Sequence, residues 1–378
     1  APPAAGAAPP SRPLFNITAT SLYDAGEEHG RVAASRIRDW IRSDELVRLR
    51  AWSQGPGRAD FEELKRVNTA AYPQFVEELR GIAAGAGLDV DTVWTLNLIT
   101  ELEALAGFKP GFGHCSDVFA ADGAGGFSFG HNEDWGGPVM AYAYFVKYTA
   151  AAYADFESCA GFVYPGTILG WAPTWNAHGM FLTENSLYPV SNRPHGVSSV
   201  FAQRAAICGP AAGLGHSEVV GELTRHGWSS GASVNIVDTS TGYMINVEVA
   251  EDQHSVYLIS NGSSAANYSH FNAFKHLGHG KLDPPHPSSM HRQARMDELP
   301  AIRTRRDVVE RLSDDTDPEY PILRNDTLTT VVFDSRTARL DVWCGGQAAA
   351  RSPPSHTWDM RRFFGAASAA AGAEVLVV

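Results

Sequence analysis

The sequence predicts an α+β fold in which antiparallel sheets are covered by helices. Three observations carry this. Apolar residues recur at three- and four-residue steps up to about residue 106. From Cys115 onward short β runs dominate. Helical patterns then return near 198–208, 216–226 and 290–313. Helices first, strands after and helices interspersed later suit sheets with helical cover. No internal repeat of fixed period is present.

The elements follow in order. The opening APPAAGAAPPSRP cannot build a core and reads as a polyproline-like lead-in, assigned to residues 1–19. A single domain is expected over 20–378. Val32, Ile37, Trp40, Ile41 and the pair Leu46/Leu49 mark amphipathic helix, continued by Phe61, Leu64 and Val67. Phe75, Leu79, Ile82 and Ala83 form another stretch, which GAGLD at 85–89 stops with glycines. A further apolar helix is expected over roughly 90–106. SDVFAA, GFSFGHN, YAYFVKYTA, GMFLTEN, SVNIVD, YMINVEV, SVYLIS and TLTTVVFD then read as strands. The turn signals ADGAGG, DTSTG and DSRTA join several of them.

Composition bounds the function. The chain has 378 residues, 44% hydrophobic and 19% charged, enough to bury a sizeable core. Lys+Arg is 30 against 42 Asp+Glu, a net charge of −12. That argues against nucleic acid or an anionic membrane surface as partner. No apolar run reaches the roughly 18 residues of a membrane span. The cysteines, Cys115, Cys159, Cys208 and Cys344, are too scattered for a disulfide scaffold, and none forms a CxxC pair. The GxSxG spacing occurs at 126–130 and 227–231, but the first lies within an expected β run and the second leads into one, so neither reads as a strand-to-helix elbow, and an HExxH helix is missing. The lack of an initiator Met, the Pro/Ala-rich start and sequons at Asn16, Asn261, Asn267 and Asn325 weakly favour a secreted or vesicular glycoprotein.

The helix-to-strand boundary falls on GFGHCSDVF, with Cys115 at its centre, and GHNEDW follows with Asp134 nineteen residues on. A hairpin through ADGAGG can bring Cys115 beside His131, Asn132 and Asp134. A lone Cys is usually a small buried hydrophobe, and an Asp after a turn is usually a turn former. Together they suggest an activated thiol, because a thiol near its usual pKa of about 8.5 needs a base or a lowered pKa to attack.

Several segments jointly carry a family likeness. They are GEEHGR at 26–31, ELRGIAAGAGLDVDTVWTLNLITEL at 78–102 and CSDVFAADGAGGFSFGHNEDW from Cys115. YPGTILGWAPTWNAHGMFLTENSL, SVNIVDTSTGYMINVEVA and YPILRNDTLTTVVFDSRTARLDVW follow in order. Over roughly 20–345 the chain resembles the acyl-CoA:6-aminopenicillanic acid acyltransferase and carcinine hydrolase family of N-terminal-nucleophile (Ntn) hydrolases. The cholylglycine hydrolases are more distant relatives. The resemblance implies an αββα sandwich of two antiparallel sheets between helical layers. It implies a precursor that cuts itself between His114 and Cys115 into a helical α subunit, 1–114, and a β subunit, 115–378, which stay associated. The freed amine, with a reference pKa of about 7.7–8.0, would serve as base. The best-known members have Gly before the nucleophile; this chain has His114.

Other roles are implied by the same likeness. Asp134 would bond the new amino terminus or orient the thiol. Asn185 and Asn267 would build the oxyanion hole; Asn261 and Asn272 lie close to Asn267 in sequence. Arg324 would stand near the nucleophile. His131 reads as a supporting donor or a plain loop residue, with Asn132 beside it. Trp135 and Trp171 would line an acyl pocket or belong to the core. The expected activity is that of a thiol amidohydrolase or acyltransferase acting on a small N-acyl substrate through a Cys115 thioester. No metal or organic cofactor is expected, and no Gly-rich loop supports CoA. The rival readings are a phospholipase B-like lipid hydrolase, and a non-catalytic scaffold. Oligomeric state is not set by the sequence.

Overall fold

The computed structural model describes residues 11–108, 115–152, 154–171, 173–189, 192–277 and 286–365. The chain starts with β1 (Leu14–Ala19), then α1 (Leu22–Trp40), α2 (Asp44–Gln54), α3 (Arg58–Ala71), α4 (Pro73–Ala86), α5 (Val90–Asn97) and α6 (Ile99–Leu105). Strands follow: β2 (Ser116–Asp122), β3 (Phe127–Asp134), β4 (Tyr144–Ala150), β5 (Cys159–Val163), β6 (Thr174–Asn176) and β7 (Met180–Leu187). After α7 (Ser199–Cys208) and α8 (His216–Leu223) come β8 (Gly231–Asp238), β9 (Tyr243–Ala250), β10 (Gln253–Asn261) and β11 (Ala265–His270). The last elements are α9 (Pro287–Glu298), α10 (Arg305–Leu312), β12 (Thr327–Asp334), β13 (Arg339–Cys344) and β14 (His356–Asp359).

Local chemistry accounts for the boundaries. Ser21 caps α1 through the Asp24 amide, and Asp89 caps α5 through the Thr92 amide at 2.7 Å. Gly87, at φ 66°, ends α4 in the left-handed conformation that the GAGLD stop anticipates. The helix expected over 90–106 breaks at Leu98 into α5 and α6. The pattern over 290–313 likewise divides into α9 and α10. Leu299 is extended (ψ 153°) ahead of Pro300, and Thr304 and Asp307 restart the helix with a capping box.

The lead-in is shorter than expected. Residues 14–19 form β1, which pairs in parallel with β4 from Leu14 opposite Phe145 to Ala19 opposite Ala150. Even Arg12 is buried, bonding the carbonyls of Leu328 and Ala143. A short LFNITA run carries little periodic signal by itself, because its pairing partner lies 131 residues away.

Among the described residues the strands form two sheets. One has the order β1-β4-β5-β6-β7-β8-β9-β10 and the other β11-β2-β3-β12-β13-β14. Except for β1 with β4, neighbours are antiparallel. The sheets meet face to face through Phe129, Phe181 and Phe333, whose ring centroids lie 5.2–5.4 Å apart. Helix α10 packs on the outer face of β2 and β3, while α1, α7 and α8 cover the larger sheet and α4 packs on α1. This is the four-layer αββα arrangement. Helices α1 and α4 cross almost backbone to backbone: a Cβ on Gly30 would stand 2.2 Å from the Ile82 carbonyl oxygen, and one on Gly85 1.9 Å from that of Glu27. A disulfide ties Cys159 in β5 to Cys208 at the end of α7, and Cys115 and Cys344 are buried free thiols. No helix of the described residues is long and apolar enough to cross a membrane.

Candidate active site

The site is built on the β2–β3 hairpin. Asp122 Oδ1 accepts the amides of Ala124 at 2.7 Å and Gly126 at 2.9 Å, closing the ADGAGG turn. The register then runs from Ala121 opposite Phe127 to Ser116 opposite Asn132, which sets Cys115 level with Glu133. Strand alternation does the rest. Cys115, Asp117, His131 and Glu133 share the face toward the second sheet, while Asn132 and Asp134 point to the other.

On the inner face, Cys115 Sγ, a His131 ring nitrogen and a Glu133 carboxylate oxygen lie within 4.8 Å of one another. His131 is clamped between two carboxylates, with Nδ1 3.0 Å from Asp117 Oδ2 and Nε2 2.9 Å from Glu133 Oε2. Thr183 in β7 donates to Asp117 Oδ1 at 2.7 Å, and the Tyr164 hydroxyl donates to Glu133 Oε1. Burial opposes a charged imidazole, yet the charge and hydrogen bond of Asp117, with bonds to Cys115 and Glu133, hold His131 well above the usual histidine range. Burial pushes the Cys115 thiol up to about 12, with the charge of Glu133 adding to it and His131 opposing. At neutral pH the thiol is therefore held protonated.

On the outer face, Asp134 is fully buried and neither of its oxygens has a hydrogen-bond partner among the described residues. Arg324 Nε stands 3.8 Å from Oδ2. Burial raises this carboxyl to about 7, against the pull of Arg324. Arg324 itself is held by the Pro321 carbonyl and the Ser288 hydroxyl. A cavity of about 20 Å³ adjoins the thiol, lined by residues including Cys115, Asp134, Trp135, Tyr164 and Trp171. That is room for one water-sized species.

The structure thus gathers Cys115, His131, Asp134, Arg324, Trp135 and Trp171. Trp135 and Trp171 are each fixed through the indole N–H, to Glu45 Oε1 at 3.2 Å and Ser199 Oγ at 2.6 Å. Asn185 lies between Glu184 and Ser186, which line the same cavity. Its buried Nδ2 has no acceptor among the described residues. Asn132 is turned away: it donates to the Leu312 and Ile322 carbonyls and accepts from Thr330, tying α10 to the sheet. His114 and the peptide joining it to Cys115 lie outside the described residues.

Asn267 is not brought to the site. It pairs with Ala120, five residues along β2 from Cys115, or about 16 Å at strand rise. Its side chain there accepts the Ile302 amide. Asn272 comes near instead. It donates to the Ser186 carbonyl at 3.0 Å and accepts from Arg292 at 3.1 Å. Arg292, in α9, also donates to the Cys115 carbonyl at 2.6 Å and Ser116 Oγ at 3.0 Å. Sequence reasoning missed Arg292, Thr183, Tyr164, Asp117 and Glu133. Only the last two carried a signal there, through strand alternation with Cys115 and His131.

Comparison with known proteins adds three findings. No curated protein matches the chain. Two solved structures align loosely. A mutant conjugated bile acid hydrolase from Clostridium perfringens aligns at 12% identity and TM-score 0.35, over 61% of this chain and 89% of that one. Penicillin V acylase from Agrobacterium tumefaciens aligns at 10% identity and TM-score 0.38, over 61% and 83%. The family model described as acyl-coenzyme A:6-aminopenicillanic acid acyl-transferase matches residues 121–349, more than half of the chain. The chain, with its αββα sandwich and its hairpin-borne thiol, belongs to that acyl-transferase family.

Proposed function

We propose that the protein is a self-cleaving thiol amidohydrolase or acyltransferase acting on a small N-acyl amide through a thioester on Cys115. The observation that carries this is the Asp134 carboxyl. It is buried beside the start of β2, lines the same cavity as Cys115, and lacks a hydrogen-bond partner among the described residues. Burying a carboxyl without such a partner is unfavourable. An ammonium formed at Cys115 would relieve it.

In this reading the thiol first attacks the His114 carbonyl, and its proton passes to the departing Cys115 nitrogen. The acyl chain moves from nitrogen to sulfur, and water then hydrolyses the thioester. That leaves a His114 carboxylate and a free Cys115 amine. The amine takes the thiol proton, and the thiolate attacks the substrate carbonyl. The C–N bond breaks, the leaving amine takes that proton, and the acyl group remains as a thioester. Water completes hydrolysis; an amine completes transfer. Asn185, with its spare buried Nδ2–H, is the side-chain candidate for the oxyanion hole. Arg324 and Arg292 hold Asp134 and the Cys115 backbone in place.

Intact-mass analysis tests the reading directly. The wild type is expected as two fragments that part at His114–Cys115, with an acyl adduct on the larger one after brief exposure to an activated N-acyl substrate. An active preparation that stays one uncut chain would overturn the processing step. Absence of any adduct on Cys115 would leave the scaffold reading standing.

A further inference from the structure

We propose that the Cys115 pocket is also a zinc site, in which a Zn²⁺ ion held by Cys115 Sγ, His131 Nε2 and Glu133 Oε2 reversibly blocks the nucleophile. The metal binding does not depend on the acyl-transfer reading; only the blocking does.

The ligand set is the first argument. Sulfur, imidazole nitrogen and carboxylate oxygen lie within 4.8 Å of one another, all from one rigid hairpin. Tetrahedral zinc with bonds of 2.0–2.3 Å separates its ligands by about 3.3–3.8 Å, so small side-chain rotations close the set. Three protein ligands with a fourth position left for water match an open zinc site. The thiolate favours zinc over magnesium or calcium, which prefer oxygen alone.

The surroundings supply the second argument. A metal-binding histidine commonly donates its other ring N–H to a carboxylate, which fixes the ring and strengthens the ligand. Here Nδ1 faces Asp117 Oδ2 at 3.0 Å, leaving Nε2 toward Glu133 and the thiol. Asp117 is itself anchored by Thr183 at 2.7 Å, and Glu133 keeps Tyr164 on one oxygen while the other, 2.9 Å from His131 Nε2, would exchange that contact for the metal. The adjoining cavity of about 20 Å³ has room for a single ion or water. Binding exchanges two protons for the metal, one from the Cys115 thiol and one from His131 Nε2, both released to solvent. It occupies the sulfur lone pair that would otherwise attack a carbonyl.

Cobalt titration of the full-length protein in thiol-free buffer tests this, because a thiolate bound to Co²⁺ shows a near-ultraviolet charge-transfer band. One Co²⁺ per chain with that band is expected, and Zn²⁺ should displace it. Cys115→Ser should abolish the band and Cys344→Ser should keep it, since these are the free thiols among the described residues. Asp117→Asn should weaken binding by about 10–100-fold; should it fail to fold, Thr183→Val, which loosens Asp117, is expected to weaken it less. A wild type without the band, or a band that survives Cys115→Ser, overturns the proposal. A protein that shows the band yet never acylates Cys115 retains the zinc site and loses the acyl-transfer reading. One that acylates Cys115 without the band does the reverse.

Discussion

Two buried polar clusters sit on either side of β4 and β7, and they are built on opposite rules. Against the outer face of the larger sheet, His29 places its ring nitrogens 2.8 and 2.7 Å from the hydroxyls of Tyr148 and Tyr144. Beside it Glu78 receives two bonds from Arg204, at 3.1 and 3.2 Å. Those contacts join α1, α4 and α7 to the sheet. Around Cys115, by contrast, Glu133 and Asp134 raise the very thiol they neighbour, and Asp134 and Asn185 keep buried atoms without hydrogen-bond partners. A fully satisfied buried network specifies a structure. A buried group left short of partners points to something still to come, whether a new terminus, a substrate atom or an ion.

Substitutions can break this contrast, the largest expected effect first. Cys115→Ala should leave one intact polypeptide with no acylation, while its melting temperature stays close to wild type; cleavage at the same bond in this variant would remove the thiol from the reaction. Asp134→Asn should lower turnover by roughly 10²-fold or more with little loss of stability, since burial already disfavours the charged carboxyl and its ion-pair contact with Arg324 is long, at 3.8 Å. Comparing kcat with the denaturation midpoint checks both halves. Glu78→Gln should do the opposite. Leaving Arg204 buried and unpaired is expected to remove about 3–5 kcal/mol of stability in urea unfolding, with the acylation rate per folded molecule unchanged.

The satisfied cluster also predicts a pH dependence. Burial, with Arg204 adding to it, lowers His29 to about 3. Above the ordinary value of about 6.5 it is neutral in folded and unfolded chains alike. As pH falls from there toward 3, only the unfolded chain takes up the proton, so stability is lost at up to about 1.4 kcal/mol per pH unit. His29→Gln should flatten that limb of the stability–pH profile. The smallest effect is expected from Asn267→Ala. It removes one bond from the Ile302 amide, changes stability by about 1 kcal/mol, and should leave acylation rates untouched.

What the sequence made legible follows interaction range. The β2–β3 hairpin was readable because its turn chemistry and alternation are local, and these bring Cys115, His131 and Asp134 together. Asn267 went astray because the register of β11 on β2 is a tertiary choice that no spacing records. The position beside Arg292 went to Asn272, which bends the chain at φ 58° just beyond the strand. Arg292 itself arrives from 177 residues away, and Thr183 from a different sheet. The hidden strand β1 fails in the same way, since its only strand partner among the described residues is β4, far along the chain.

That first strand has a consequence for a chain broken before Cys115. Residues on the amino side of such a break supply an outer strand of the larger sheet, the Arg12 guanidinium under β12, and the Glu78 half of the ion pair with Arg204. Glu101 adds a bond to the Ser199 amide at 2.9 Å. The two pieces are therefore not neighbours in contact but halves of one hydrogen-bonded lattice, each carrying edges that only the other can cover. Neither should leave the other without unfolding. Expressed from separate genes, residues 1–114 and 115–378 should find one another and rebuild the sandwich, the way a split reporter is restored by its missing strand.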